Sequence, residues 1–154
     1  MSTQLQILVD ADACPVKDEI FRVAERHGVP VVVVSNSYMR LPADPLIERV
    51  VVSDGFDAAD DHIAERAGTK SVVITADIPL ADRCLKAGAT VIAPNGKPFT
   101  PDMIGGALAT RAIMQDLRAG SVGGNIGGPP PFSKADRSRF LSVLHDTLEK
   151  MARD

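Results

Sequence analysis

Apolar residues along this chain alternate between two patterns. Short, continuous and mostly β-branched runs occur at Leu5–Asp10, Pro30–Ser35, Arg49–Ser53, Ser71–Thr75 and Thr90–Ala93. Continuous apolarity over four to six residues suits strands of a parallel sheet covered on both faces. The segments between them show helical spacing instead. Val16–His27 places Val16, Ile20, Val23 and Ala24 on one face and stops at Gly28; Ala58–Arg66 stops at Gly68 and Ile78–Ala87 at Gly88. Glycine just past the last periodic residue is a helix stop, because it accepts the left-handed conformation that closes the final turn. Two more helices are predicted at Asp102–Arg118 and Ser133–Met151. Ser133 and Asp136, three apart, can cap the latter's free amides. Asn36–Pro45, with Pro42 and Pro45, reads as an irregular crossover. The β-α-β rhythm predicts a three-layer α/β/α fold with a mostly parallel five-stranded sheet.

Composition narrows the class. With 154 residues, 45% of them hydrophobic, the chain suits a single domain spanning residues 1–154. Asp10 and Asp12 interrupt the apolar run near the amino end, which excludes a signal-peptide pattern, and no run approaches the ~20 apolar residues a bilayer span needs. Two cysteines, Cys14 and Cys84, make no disulfide framework, so a reduced cytoplasmic chain with no membrane association is expected. Cys14 sits near a helix start, yet the reading favoured for it is a small buried thiol. Net charge is -3, unevenly spread: residues 1–110 hold 10 Lys+Arg against 15 Asp+Glu, and the rest hold 7 against 5. The one low-complexity stretch, Ala119–Phe132 (AGSVGGNIGGPPPF), lies in the basic part. It is either a connector or a loop whose glycine amides approach an anion.

Candidate chemistry comes from the acidic positions. QILVDADACP and VVITADIPLAD each end an apolar run on an aspartate, so Asp10 and Asp77 stand at strand carboxyl ends, where open α/β sheets gather ligands. Carboxylates gathered at a sheet edge favour a cation, since burying unpaired charge is costly. Asp12, at i+2 from Asp10, either shares that cavity or caps the helix that follows Pro15. Asp60 has Phe56, Ile63, Ala64 and Ala67 as helical neighbours and so lies within an apolar stripe. Asp61 sits among Asp57 and Glu65 on a solvated face, and Asp54-Gly55 and Asp57 are explained as a turn and a cap. Asp77 can equally cap the next helix, and Asp82 either reaches the same cavity or faces solvent.

DADACPVK, VVSDGFDAADDHI, TADIPLA, APNGKPFT and GGPPPFSKADRSRF together resemble the YaiI/YqxD family of small bacterial proteins, related by fold to the PIN-domain nucleases. The resemblance covers essentially the whole chain and implies a sheet order of 3-2-1-4-5. PIN-like nucleases carry acidic residues after the first strand, on a mid-chain helix and around a TxD motif; Asp10, Asp60 (or Asp61) and Asp77 match, with Asp82 a looser match. Ordinary PIN chains have nothing like GGNIGGPPPF.

The implied activity is hydrolysis of a phosphodiester in nucleic acid or a nucleotide. Mg²⁺ or Mn²⁺ is the expected cofactor, because carboxylate and water ligands suit hard cations and no His/Cys cluster suggests zinc. Asp10, Asp60 and Asp77 are expected to lie close enough to share a cation. Lys17, Lys134, Arg137 and the Ser133 helix start are candidate phosphate contacts, brought to the acidic cluster by Gly123–Phe132 folding back over the sheet edge. Arg137 lies beside Phe140, Leu141 and Leu144 on the packed face, so it should pair with a phosphate or a core-side carboxylate. If phosphate is the partner, Arg137→Ala weakens binding more than stability. Two other classes fit. Asp10-Ala-Asp12 with Ser35 resembles the haloacid-dehalogenase-like phosphatases, with Asp10 as nucleophile, though no flanking lysine motif accompanies it. A non-catalytic RNA- or protein-binding module is the other, although 4% aromatic content argues against base stacking. His62 and His145 lie on helices with no partner evident.

Overall fold

The computed structural model describes residues 4–12, 14–52, 58–106 and 132–153. In chain order the elements are β1 (Gln6–Asp10), α1 (Lys17–His27), β2 (Val31–Ser35), β3 (Ile47–Val51), α2 (Ala58–Arg66), β4 (Ser71–Ile74), α3 (Ile78–Lys86), β5 (Thr90–Ile92), α4 (described over 101–106) and α5 (Lys134–Arg153). The five strands form one parallel sheet of order β3-β2-β1-β4-β5.

Alternation along the strands divides the core into two layers. Ile7, Val9, Val31, Val33, Val72 and Ile74 face α1 and α5, where they meet Ile20, Val23, Phe140, Leu144 and Leu148. Leu8, Val32, Val34, Val73 and Val91 face α2 and α3, against Ile63, Leu80, Ala81 and Cys84. Both faces are therefore covered, which is why β2 could be read from its unbroken valine run. On α5, Phe140, Leu144 and Leu148 recur every four residues and are fully buried. α1 ends at Gly28, whose φ of 66° lets its amide reach back to the carbonyls of Ala24 and Glu25.

The starts of two elements, β3 and α1, differ from the sequence reading. β3 begins at Ile47, two residues before the expected Arg49, because it pairs with β2 along its full length, from Val31↔Ile47 to Ser35↔Val51. As an edge strand it carries exposed Glu48 and Arg49, which discourage further pairing. α1 begins at Lys17 behind Val16, so Pro15 precedes the helix and Asp12 is not its cap. Asn36–Pro45 is irregular as expected, and Met39 and Leu41 from it pack on the α1 layer. Asp54, Asp57, Gly123 and the glycine-proline run through Pro131 lie outside the described residues, as does most of the helix expected at Asp102–Arg118.

Candidate functional site

β1 leads through α1 to β2 on one side of the sheet, whereas β3 leads through α2 to β4 on the other. The carboxyl ends of β1 and β4 are thus the point where connections diverge, and ligands of open α/β sheets bind in that crevice. Asp10 ends β1, and Thr75 and Asp77 follow β4.

Thr75 joins the two aspartates. Its hydroxyl, on a residue only 1% exposed, donates to Asp10 Oδ2 at 2.8 Å and accepts from the Asp77 backbone N–H at 3.0 Å. Asp77 Oδ1 in turn accepts from the Leu80 N–H at 2.9 Å as the N-cap of α3, with Pro79 in the first turn. Cap and site residue are one and the same side chain. Among the described residues, these hydrogen bonds engage one oxygen of each carboxylate and leave the second for a ligand. Burial pushes the Asp10 carboxyl above the ordinary carboxylate range; the Thr75 hydrogen bond opposes this, and the nearby charges of Asp77 and Asp12 add to it. Asp12 itself accepts from the Asn36 N–H at 3.0 Å, tying the Asp10–Cys14 loop to the end of β2.

The remaining acidic candidates are placed less closely. Asp60 is half-buried in the first turn of α2, on the face of the sheet covered by α2 and α3, and its charge adds a little to the rise that burial imposes on the Cys84 thiol. Among the described residues, Asp10, Asp60 and Asp77 are not gathered within 4.8 Å of one another. Asp61 pairs with Arg83 at 2.9 Å on the solvated face, as expected, and Asp82 pairs with Lys86 at 2.9 Å along α3.

The basic candidates hold the fold together at this edge. Lys17 Nζ donates to the carbonyls of Cys14 (3.0 Å) and Ala11 (3.4 Å), clamping the loop after β1. Together with Asp12, Cys14, Pro15, Ser37 and Met39 it lines an open cleft of about 520 Å³. Arg137 Nη1 donates to Glu19 Oε1 at 2.7 Å and Oε2 at 3.2 Å, and to the Pro15 carbonyl at 3.0 Å, with its guanidinium 5.2 Å from the Phe132 ring. Of the two partners foreseen for Arg137, the structure supplies the core-side carboxylate. Ser133 and Asp136 form the reciprocal cap read from the sequence, Ser133 N–H to Asp136 at 3.0 Å and Asp136 N–H to Ser133 Oγ at 3.1 Å. Lys134 is exposed at the same helix start.

Thr75 escaped the sequence reading, although the Thr-x-Asp spacing was the available signal. Glu19 and His27 also escaped it. His145, read as partnerless, has its Nδ1 2.9 Å from His27 Nε2. Cys14 is a free, buried thiol, as expected; Cys84 is free and buried too, and burial raises both, Cys84 to about 11. No helix among the described residues is long and apolar enough to cross a membrane.

The chain is 71% identical over 147 residues to a UPF0178 protein of Sphingopyxis alaskensis, covering 96% of this chain and 95% of that one. A UPF0178 protein of Nitrobacter winogradskyi is 61% identical over 151 residues, covering 98% and 95%. No solved structure matches the chain. The family described as "Uncharacterized BCR, YaiI/YqxD family" matches residues 8–150, and the chain belongs to that family.

Proposed function

We propose that the protein is a divalent-metal-dependent phosphodiester hydrolase of the PIN-like type, acting on nucleic acid or a nucleotide in a reducing, cytoplasmic setting. The observation that carries this reading is the Asp10–Thr75–Asp77 linkage at the diverging strand ends. It ties the Asp10 carboxylate to the backbone of Asp77, the residue whose own carboxylate caps α3, and the charge of Asp77 is near enough to act on Asp10. Burial, and after it the charges of Asp77 and Asp12, raise Asp10, and a bound cation would offset both.

The donor set fits Mg²⁺ or Mn²⁺, because it consists of oxygens alone. Asp10 and Asp77 would hold the ion directly. Asp60 and Asp12 would meet the ion through its waters, since Mg²⁺ usually keeps several of them. The bound ion would lower the pKa of a water and stabilise the leaving oxygen. The chain's own residues supply the geometry. Thr75 fixes the Asp10 rotamer, the α3 cap fixes Asp77, and Asp12 ties β2 to the loop after β1. Such positioning keeps the ligands from having to reorganise as charge develops. Lys17 borders the neighbouring cleft and brings positive charge toward a phosphate there.

The test is cleavage of single-stranded RNA, single-stranded DNA and a dinucleotide, with Mg²⁺, with Mn²⁺ and with chelator. Asp10→Asn and Asp77→Asn should each abolish metal-dependent cleavage while circular dichroism stays unchanged, since asparagine still caps a helix and still accepts from Thr75. Cleavage that survives chelation, or that a folded Asp10→Asn variant performs undiminished, overturns the proposal. A phosphoryl group trapped covalently on Asp10 would point to the phosphatase mechanism instead.

A further inference from the structure

At the far end of α1 from the aspartates, two histidines 118 positions apart in sequence meet. His27 is the last residue of α1; His145 and Glu149, one turn apart, lie on α5. His27 Nε2 is 2.9 Å from His145 Nδ1, and His145 Nε2 is 3.4 Å from Glu149 Oε1. The two rings are tilted by 54° with centroids 4.9 Å apart, so they converge edge to edge instead of stacking. One ligand atom from each of the three residues lies within 4.8 Å of the others.

We propose that His27, His145 and Glu149 form a binding site for a borderline divalent cation of the Zn²⁺ class, distinct from the oxygen-only carboxylate site. His27 Nε2 and His145 Nδ1 would hold the ion, water would complete its shell, and Glu149 on His145 Nε2 would orient that ring as the supporting carboxylate of a metal-bound histidine. Zn²⁺ takes imidazole readily, whereas Mg²⁺ does not favour nitrogen. A single proton now bridges two ring nitrogens. A tetrahedral ion with Zn–N bonds of ~2.0–2.1 Å needs those nitrogens only about 3.3 Å apart, so a few tenths of an ångström of opening admits it. The site stands at the carboxyl end of α1, whose partial negative charge favours a cation. Both histidines are half-buried, which orders them before the ion arrives, and Glu149 is exposed, which leaves a route of entry. Arg22 and Arg26, which line the adjoining cleft with His145, oppose cation binding and set its strength toward the weaker end. The consequence is structural. The ion would fasten α5 to α1 at the end opposite the Arg137–Glu19 pair.

The experiment is Zn²⁺ titration of the full chain by calorimetry, with the Co²⁺ form followed by visible absorption and the Zn²⁺ form by X-ray absorption. Expected are one Zn²⁺ per chain, imidazole nitrogen among its ligands, and a raised melting temperature. Glu149→Gln should weaken binding about 10- to 100-fold, the usual cost of losing a supporting carboxylate, and His145→Ala, which removes a ligand, by more. Asp10→Asn should leave Zn²⁺ affinity unchanged, which separates this site from the carboxylate one. Glu149→Gln changes an exposed residue and keeps the comparison valid if a histidine variant fails to fold. Absence of Zn²⁺ binding, ligation by oxygen alone, or affinity unaffected by Glu149→Gln and His145→Ala overturns the proposal.

Discussion

Removing the Arg137 guanidinium should destabilise the protein more than neutralising its partner. The Glu19 side chain is 12% exposed and the Arg137 side chain 46%, so the two ends of this ion pair are unequally hydrated. Arg137→Ala leaves a nearly buried carboxylate unpaired at the α1–α5 seam. Breaking a fully buried pair by deleting one partner costs ~3–5 kcal/mol, but water already reaches half of Arg137 and screens the interaction, so about 2 kcal/mol is expected. Glu19→Gln keeps an acceptor for Nη1 and leaves a cation that water can reach, which should cost less than about 1 kcal/mol. Urea unfolding of both single variants and the double variant checks this as a cycle, with the Arg137→Ala loss appearing as a melting-point drop of ~4–8 °C for a chain of this size. Equal costs for the two single changes, or a neutral Arg137→Ala, would refute the assignment. A variant that keeps full stability yet loses phosphate affinity would return Arg137 to the substrate side.

Other outcomes follow from the same contacts. Asp10 is raised above 3.8 in the folded state, so wild-type protein should lose stability relative to Asp10→Asn as pH rises through its folded pKa, and the difference should persist to neutrality and shrink on adding Mg²⁺. Unfolding midpoints at acid and neutral pH decide this, and a less stable Asp10→Asn at neutral pH would count against it. Gly96→Ala should cost ~2–4 kcal/mol, since a Cβ there would sit 2.7 Å from the Phe140 nitrogen and 2.8 Å from the Arg139 carbonyl carbon, at a φ of +89°. A Gly96→Ala variant as stable as wild type would show that the turn after β5 can move away from α5. Cys84, raised to about 11 and fully buried, should resist thiol reagents at ~pH 8 until the protein unfolds. Rapid labelling of native Cys84 would contradict that burial.

Local pattern carried the sheet and helices because each element meets a whole layer, not one residue. The valines of β2 and the Phe140–Leu144–Leu148 stripe of α5 declare what they bury without naming a partner. α2, read as Ala58–Arg66, has those bounds in the structure. Glycine stops placed the helix ends, and the edge strand β3 was displaced because its half-buried positions are only Ile47, toward the α1–α5 layer, and Val50, toward the α2–α3 layer, among charges. Strand order was implied by family likeness, since a β-branched run does not say which neighbour it pairs with.

The site was legible to the extent that chemistry rides on strand ends. Asp10 and Asp77 could be placed because an apolar run ending in aspartate fixes both depth and edge. Thr75 was hidden by its neutrality: a threonine ending a strand is ordinary, and only the juxtaposition of β1 and β4 turns its hydroxyl into the link between the Asp10 carboxylate and the Asp77 backbone N–H. Glu19–Arg137 and His27–His145 were hidden for a different reason. Helical spacing predicts which residues share a face, and it correctly set Arg137 on the packed side, but α1 and α5 are separated by most of the chain and no period relates them. These pairs depend on two helices running side by side in the same direction. That arrangement joins the amino end of α5 to the site edge and its later turns to the end of α1. Arg137 contacts the loop after β1 through the Pro15 carbonyl, and Lys17 clamps that loop from within. A loss of the Arg137 contact should therefore reach Asp12 and Asp10 through the backbone they share, even though the guanidinium is held by Glu19.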